Sequence, residues 1–243
     1  MRSLHELRRF CLVGLPISVV LTGDAPSTGL PLSIRSGVPT ATVEGRVEVS
    51  AALTARRARF RIYAEPGRSA APRSPDAADD ERRNIVVYIE RAPSAAVIPA
   101  KPATLRQQGE RFLPHVLPIV RGTTVAFPNE DPLFHNVFSL SRARTFNLGR
   151  FPRGESRAVR FDKAGIVKVF CDIHSHMAAS VIVFNHPWFT VPDAGGTFEI
   201  DDLPAGNQQI TAWHERLGDT TMRVRIEPGR AASVEFVLPV PAR

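Results

Sequence analysis

Residues 168–184, "KVFCDIHSHMAASVIVF", place four side chains that bind soft or borderline metal ions between two runs typical of β-strands. Within this stretch Cys171, His174, His176 and Met177 fall inside seven consecutive positions. Such a group is either an ordinary surface loop or most of a coordination shell. The rest of the chain decides between these two interpretations.

The run that ends at Cys171 follows the two-residue period of a strand. By that period Val167, Val169 and Cys171 share one face. If the two valines point into a core, the thiol does too, at the point where the strand ends. We therefore expect a buried cysteine beside a loop that can complete a site.

Short apolar runs of the same kind recur through residues 104–184, with glycines between them. They read VLPIV, TTVAFPN, NVFSL, SRAVRF, IVKVFC and SVIVF. Many short strands at this spacing are typical of a β-sandwich or barrel, and the pattern predicts no long amphipathic helix. The sequence therefore predicts an all-β fold.

Further strands are predicted on both sides of this block. Before it come "ATVEGRVEVS" (41–50), "RFRIYAE" (59–65) and "NIVVYIE" (84–90), with a proline-rich, charged loop between the last two. After it, turn signals at 193–196 and 204–206 separate alternating strands. These outer strands predict a second, smaller β-sandwich.

The first 28 residues have the layout of a secretory signal peptide. Three arginines precede an apolar run at 10–21, and small and polar residues follow it. The apolar run is much shorter than the roughly 20 residues of a membrane-spanning helix. We expect residues 1–28 to be removed and the rest of the chain to be exported to the periplasm.

The chain has two cysteines, and the predicted signal peptide contains one of them, Cys11. Its removal leaves Cys171 without a partner for an intramolecular disulfide. In an oxidising compartment a lone thiol is buried and inert, paired between chains, or held as a thiolate by a metal. The histidines and methionine beside Cys171 favour the metal.

The formal net charge of the chain is +7. A basic, exported β-protein favours acidic protein partners or anionic membrane surfaces over nucleic acid, for which the sequence carries no motif. No Ser-His-Asp spacing, paired-carboxylate pattern or phosphate-binding glycine loop indicates catalysis. We expect a protein that is not an enzyme and does not bind nucleic acid.

A second imidazole comes from His135, which lies 36 residues before Cys171 in "NEDPLFHNVFSLS". A thiolate, two imidazoles and a thioether form the donor set that selects copper and tolerates both of its oxidation states. Because one donor comes from an upstream loop, strand pairing must bring His135 to the other three. Glu130 and Asp131 also precede His135, and we interpret "PNEDP" as a turn.

The CxxHxxM spacing of Cys171, His174 and Met177 resembles the ligand loop of the cupredoxins, the small blue copper proteins, and is similar to that of amicyanin. The resemblance extends to "HNV" and to the preceding "GTTVAFPNED", and it covers about residues 104–184. It implies a Greek-key β-sandwich that binds copper. In it His135, Cys171 and His174 would be the strong equatorial ligands and Met177 the long axial one.

The same resemblance implies roles for two neighbouring residues. Asn136 would tie the two ligand loops together without binding the metal. His176 lies inside the CxxHxxM loop, where it faces solvent, supports a ligand by a hydrogen bond, or replaces Met177 as the axial ligand. We favour the first two roles, because Met177 already has the axial spacing.

Residues 192–215, "PDAGGTFEIDDLPAGNQQITAWHE", resemble the carboxypeptidase-regulatory-like domains, which are transthyretin-like β-sandwiches. That family begins with strands similar to the early ones of this chain. The two resemblances imply a discontinuous transthyretin-like sandwich at 40–100 plus 187–240, with a cupredoxin domain at 101–186 inserted. The alternative is that the early strands extend the cupredoxin sheet. Exported methylamine-utilisation or plastocyanin-like proteins are similar combinations.

The resemblance implies an exported carrier of single electrons whose partners are periplasmic redox proteins. His174 would be the electron exit, surrounded by an apolar surface of Leu133, Phe134, Ala178 and Ala179. Two alternatives stay open: a module that captures or delivers copper without redox chemistry, and an envelope scaffold or adhesive protein. Anionic membrane surfaces are a second class of partner, and the sequence predicts no oligomeric state.

Overall fold

The computed structural model describes residues 40–49, 81–92 and 101–238. Over these ranges the regular structure is β-strand, apart from two helical residues at 81–82, so the all-β prediction is confirmed. The predicted signal peptide at 1–28 and the strand predicted from "RFRIYAE" lie outside the described residues. Within the three ranges, no helix has the length and apolar character needed to cross a membrane.

Seventeen strands follow one another along the described residues. They are β1 (Thr40–Val49), β2 (Ile85–Ile89), β3 (Ala103–Thr104), β4 (Arg106–Gln107), β5 (Phe112–Leu113), β6 (Val116–Val120), β7 (Thr124–Pro128), β8 (His135–Ser141), β9 (Arg144–Phe151), β10 (Ser156–Arg160), β11 (Gly165–Phe170), β12 (Ala178–Phe184), β13 (Phe189–Thr190), β14 (Thr197–Pro204), β15 (Gly206–His214), β16 (Gly218–Ile226) and β17 (Ala232–Leu238). The six strands predicted in the central block appear as β6, β7, β8, β10, β11 and β12, with ends that differ by at most two residues.

Strands β3 to β12 form what we call the central sandwich. Its two main sheets have the strand orders β10-β7-β3 and β6-β12-β11-β8-β9, and β4 pairs with β5. Val125 and Phe127 from the smaller sheet share one apolar core with Val167 and Val169 from the larger sheet. Cys171 lies in the same core, so the expected burial of the thiol beside the two valines is confirmed.

The sequence did not predict β9, because its apolar side chains break the two-residue period. Phe146 and Leu148 occupy alternate positions, whereas Phe151 falls on the opposite parity, and yet all three pack on the central core. Gly149 lies between them with φ of +69°, a conformation that suits glycine. This local irregularity turns Phe151 towards the core, so the strand lacks the regular alternation by which the other strands were predicted.

Strands β1, β2 and β13 to β17 form what we call the flanking sandwich. Its sheets have the orders β14-β1-β17 and β13-β2-β15-β16. Strand β1 runs antiparallel to β14 and parallel to β17, while β2 runs antiparallel to β13 and β15. Strands that precede and follow the central sandwich in the chain therefore share one core, which includes Val43, Ile85, Ile210 and Phe236.

A smaller apolar cluster joins the two sandwiches within one compact unit. Val86 of β2 packs with Ile182 and Phe184 of β12. The Phe184 ring also lies 5.0 Å from the Tyr88 ring and stacks on Phe189 at 4.7 Å. The strand that follows the ligand loop is therefore buried on both faces, by the central core on one side and by the flanking sandwich on the other.

The topology brings two distant parts of the chain to one end of the central sandwich. His135 is the first residue of β8, and Cys171 follows the last residue of β11. Because β8 and β11 are antiparallel neighbours, the beginning of one lies beside the end of the other. The loop from Cys171 to Met177 then leads directly into β12.

The position of β1 in the flanking sandwich predicts a strong effect at Gly45. A Cβ atom there would lie 2.1 Å from the backbone oxygen of Val234 and 2.7 Å from the Phe198 ring. We expect Gly45→Ala to lower the free energy of unfolding by about 2–3 kcal/mol, because β1 must move away from its neighbours. Chemical denaturation measures this change.

The matched control is Glu44→Ala at the preceding, exposed position of β1. Its effect should stay within about 0.5 kcal/mol, as for most surface substitutions. Equal effects of the two variants would contradict the close packing of β1 between β14 and β17.

Candidate metal centre

Three metal-binding atoms converge where β8 begins and β11 ends. His135 Nδ1 and His174 Nδ1 lie 3.0 Å apart, and Cys171 Sγ lies 3.9 Å from His174 Nδ1. All three atoms are within 4.8 Å of one another. Bonds of about 2.0 Å to nitrogen and about 2.3 Å to sulfur would let one ion contact all three. The donor set and its spacing therefore fit a single metal ion.

The ring of His135 is fully buried and oriented by a carboxylate. Its Nε2 lies 2.8 Å from Asp131 Oδ2. Because a carboxylate only accepts hydrogen bonds, Nε2 donates, and the neutral ring then carries its lone pair on Nδ1. The hydrogen bond thus aims an unprotonated nitrogen at His174 and Cys171, which is how metal-binding histidines are commonly oriented.

Asp131 is held in turn by the backbone. Its carboxylate accepts hydrogen bonds from the N–H groups of Gly109 at 2.6 Å and Glu110 at 2.9 Å. Burial alone would raise the pKa of Asp131, but these two bonds and the one from His135 hold it below its ordinary value. Asp131 is therefore ionised at neutral pH and remains an acceptor for His135.

The interpretation of "PNEDP" as a turn missed this contribution of Asp131. The segment does turn, since the Asp131 N–H donates to Asn129 Oδ1 at 3.0 Å. The side chain of Asp131, however, orients His135, four residues later. That spacing was visible in the sequence, but the backbone donors at 109–110 reach Asp131 only through the tertiary fold.

The thiol of Cys171 lies in a nearly closed environment. Only 4% of the residue is exposed, and the backbone N–H of Asn136 points at Sγ from 3.5 Å. The side chain of Asn136 turns away and donates to Asn147 Oδ1 at 2.8 Å. The backbone of Asn136 thus connects the two ligand segments, and its side chain connects β8 to β9.

The ligand loop closes on itself through two backbone hydrogen bonds. Cys171 N–H donates to the Met177 carbonyl at 3.3 Å, and Met177 N–H donates to the His174 carbonyl at 2.9 Å. Met177 is 1% exposed and packs in the same core as Cys171. The loop therefore keeps Met177 on the inner side of the site, and its role as a ligand stays a prediction.

His176 lies outside the converging group. Its side chain is 60% exposed, and its Nε2 lies 3.4 Å from Glu110 Oε2. The His176 ring centroid is 6.0 Å from that of His174. The side chain therefore faces solvent beside the loop, and Glu110 contacts both this histidine and, through its backbone, Asp131.

His174 is the ligand candidate that reaches the surface, because its residue is only partly buried. Leu133 and Phe134, which precede the upstream histidine, are exposed, as is Ile173. The prediction that Ala179 belongs to this apolar surface is wrong. Ala179 is 1% exposed, because it points into the central core by the alternation of β12.

No protein-family model matches the chain, and no curated protein matches it. Solved structures do match part of it. The Cu-containing nitrite reductase NirK from Thermus scotoductus SA-01 is 29% identical with a TM-score of 0.34, over 40% of this chain and 25% of its own. This chain thus spans about a quarter of the length of that structure.

Two smaller proteins match over most of their own length. The purple cupredoxin from Nitrosopumilus maritimus is 24% identical with a TM-score of 0.31, over 34% of this chain and 99% of its own. Amicyanin from Paracoccus versutus is 24% identical with a TM-score of 0.32, over 40% of this chain and 97% of its own. With TM-scores this low, the evidence for a metal centre rests on the side chains described above.

The contact between Asp131 and His135 predicts a specific loss of metal affinity. In Asp131→Asn the amide NH₂ group replaces either Oδ1, where it faces the Gly109 N–H, or Oδ2, where it faces the Glu110 N–H and the His135 Nε2–H. At least one donor then loses its acceptor, and the bond to His135 also loses the negative charge that strengthens it, so the ring is held less firmly. We expect copper(I) to bind about 10–100-fold more weakly, as measured by competition with a chelator. Glu130→Gln is the control, because Glu130 is partly exposed and contacts Arg106 at 3.8 Å. Equal affinities in both variants would show that Asp131 does not orient the ring.

Proposed function

We propose that the chain is an exported type 1 copper protein that carries single electrons. His135, Cys171 and His174 would be the strong ligands, and Met177 the weak axial ligand. The observation that carries the proposal is the convergence of two imidazole Nδ1 atoms and a buried thiol at one end of a β-sandwich. A bound copper ion supplies the one-electron couple between Cu(II) and Cu(I).

The chemistry of the donors supports copper over most other ions. A thiolate and imidazoles do not suit the hard cations Mg²⁺ and Ca²⁺, which prefer oxygen ligands. Zinc accepts the same donors, commonly in a tetrahedral site closed by four strong ligands. A site with three strong donors and a buried methionine in the same loop instead matches the blue-copper pattern of two histidines, a cysteine and a weak axial thioether.

The protein's part in electron transfer would be to hold the ligands still. His135 begins β8, Cys171 directly follows β11, and Met177 directly precedes β12. The Asp131 carboxylate fixes one ring, and two backbone hydrogen bonds close the loop. Ligands fixed in this way move little when the charge at the site changes, so little reorganisation opposes the electron.

Electrons would pass through His174, the ligand with partial exposure. Leu133, Phe134 and Ile173 give the adjoining surface an apolar character suited to brief contact with a periplasmic redox protein. We assign the chain to the carriers rather than the enzymes because the thiol and the upstream histidine are buried, which leaves a substrate little access.

We also propose that the chain is exported and consists of two domains. A signal peptide at 1–28 would direct export to the periplasm. A cupredoxin domain at 101–186 would hold the copper, and residues 40–100 with 187–240 would form a transthyretin-like sandwich. Two sandwiches with separate cores support this division.

The decisive experiment is a copper(II) titration followed by visible absorption. We expect an intense thiolate-to-copper band that saturates at about one ion per chain, and its complete loss in Cys171→Ser. His176→Ala is the matched control, since this exposed histidine should leave the band unchanged. A colourless complex, or a band that survives in Cys171→Ser, would refute a type 1 site. A normal band without electron exchange with exported cytochromes would favour copper capture or delivery.

Replacement of Met177 tests the axial position. Met177→Leu keeps the buried volume but removes the thioether, which stabilises Cu(II) by donating electron density. We expect the reduction potential to rise, by about 59 mV for each tenfold change in the ratio of the Cu(I) and Cu(II) affinities. Voltammetry measures the shift. Met222→Leu, at an exposed methionine on β16, should leave the potential unchanged, and equal potentials in both variants would exclude Met177 as a ligand.

A further inference from the structure

A single carboxylate of the flanking sandwich contacts both strands that carry the ligand loop. Glu215 lies in the turn between β15 and β16. Its Oε1 accepts a hydrogen bond from Lys168 Nζ on β11, and its Oε2 accepts one from Ser180 Oγ on β12 at 3.0 Å. Lys168 and Ser180 are cross-strand partners, and Lys168 Nζ also donates to Ser180 Oγ at 2.9 Å. The three residues thus form a closed triangle on the outer face of the sheet.

His115 extends this contact to the residue that follows Met177. Its Nε2 lies 3.2 Å from Glu215 Oε2, and its Nδ1 lies 2.9 Å from the carbonyl oxygen of Ala178. Both partners are acceptors, so the ring serves both when each nitrogen carries a hydrogen. The Ser180 N–H donates to the His115 carbonyl at 2.9 Å, which fixes the backbone of His115 against the same strand.

The charges favour this arrangement. The hydrogen bond from His115 lowers the pKa of Glu215, partial burial opposes that effect, and the contacts with Lys168 and Ser180 lower the pKa further, far below its ordinary value. The carboxylate is therefore ionised at neutral pH, and its hydrogen bonds are charge-assisted. Glu215 and Lys168 are each about one-third exposed, so solvent weakens but does not remove their attraction.

The triangle of Glu215, Lys168 and Ser180 contacts each strand three residues from the ligand loop. Lys168 precedes Cys171 by three positions, and Ser180 follows Met177 by three. The carbonyl held by His115 belongs to the first residue of β12. A change in these hydrogen bonds therefore displaces the two strand ends that flank the loop.

We propose that Glu215 is a positioning residue by which the flanking sandwich fixes the Cys171–Met177 loop. As a statement about a copper site, it rests on the function proposed above. As a statement about the loop, it holds for the metal-free chain as well. The flanking sandwich then contributes to the geometry of the metal centre although it supplies none of the proposed ligands.

The test compares the full-length protein with Glu215→Gln, which keeps the size of the side chain and removes its charge. Hydrogen exchange of the metal-free proteins, followed by mass spectrometry over residues 168–180, reports the loop directly. We expect exchange about tenfold faster in Glu215→Gln, because local opening becomes easier. Lys168→Met, which removes the other charge, should act in the same direction. Glu227→Gln is the control, since Glu227 pairs with Arg230 at 3.2 Å on the exposed surface of the same sandwich.

A second measurement uses the copper-loaded proteins. We expect the absorption band and the reduction potential to shift in Glu215→Gln and to stay unchanged in Glu227→Gln. Unchanged exchange in Glu215→Gln, or the same increase in the control, would overturn the proposal. Faster exchange with an unchanged copper spectrum would overturn its link to the metal site. If the unmodified protein showed no copper band, the proposed function would fail, and the exchange data alone would decide the role of Glu215.

Discussion

The candidate site depends on the register between β8 and β11. The two strands are antiparallel neighbours with Phe138 opposite Phe170, and this pairing sets the beginning of β8 against the end of β11. Side chains alternate along a strand, so a slip of one residue would replace His135 by Asn136 on the inner face. Buried Val137 and Ser139 on β8 hold the register, because a slip would force the larger side chains of Phe138 and Leu140 into the space that these two residues fill. Ordinary core packing thus determines whether the metal-binding atoms meet.

Local patterns in the sequence were enough to identify the side chains that converge, but not the groups that orient them. Cys171 and His174 stand in one loop, and the period of two predicted the burial of the thiol. The role of Asp131 in orienting His135 was not predicted, because the carboxylate is held by Gly109 and Glu110. These residues precede it by about twenty positions and reach it only after folding. Ala179 was wrongly predicted to be exposed, because the spacing of the ligands alone did not show which face of β12 packs on the core. The fold class followed from short alternating runs, whereas β9 escaped detection because Gly149 breaks its alternation.

Two kinds of contact join the two sandwiches. Each has a core of its own, and between them lie a small aromatic cluster around Phe184 and the charged contacts of Glu215. Apolar contacts of this kind hold surfaces together without strict geometry, whereas charge-assisted hydrogen bonds demand particular distances and angles. The aromatic cluster therefore stabilises the contact between the two sandwiches, and the Glu215 carboxylate fixes their relative position at the strands that flank the loop. Strand β12 takes part in both, and it is also the strand that leaves the ligand loop.

The unequal burial of the three converging residues has a consequence for the exchange of metal with the surroundings. His135 and Cys171 are closed off by the core, and His174 alone is partly open. In the proposed function, an ion that enters or leaves would pass this histidine, on the side that we propose for contact with a redox partner. A docked partner would thus block the path by which the ion leaves, and copper would be retained best during the encounters in which electrons move. Loading would in turn be easiest for the solitary protein, before any partner covers the entrance.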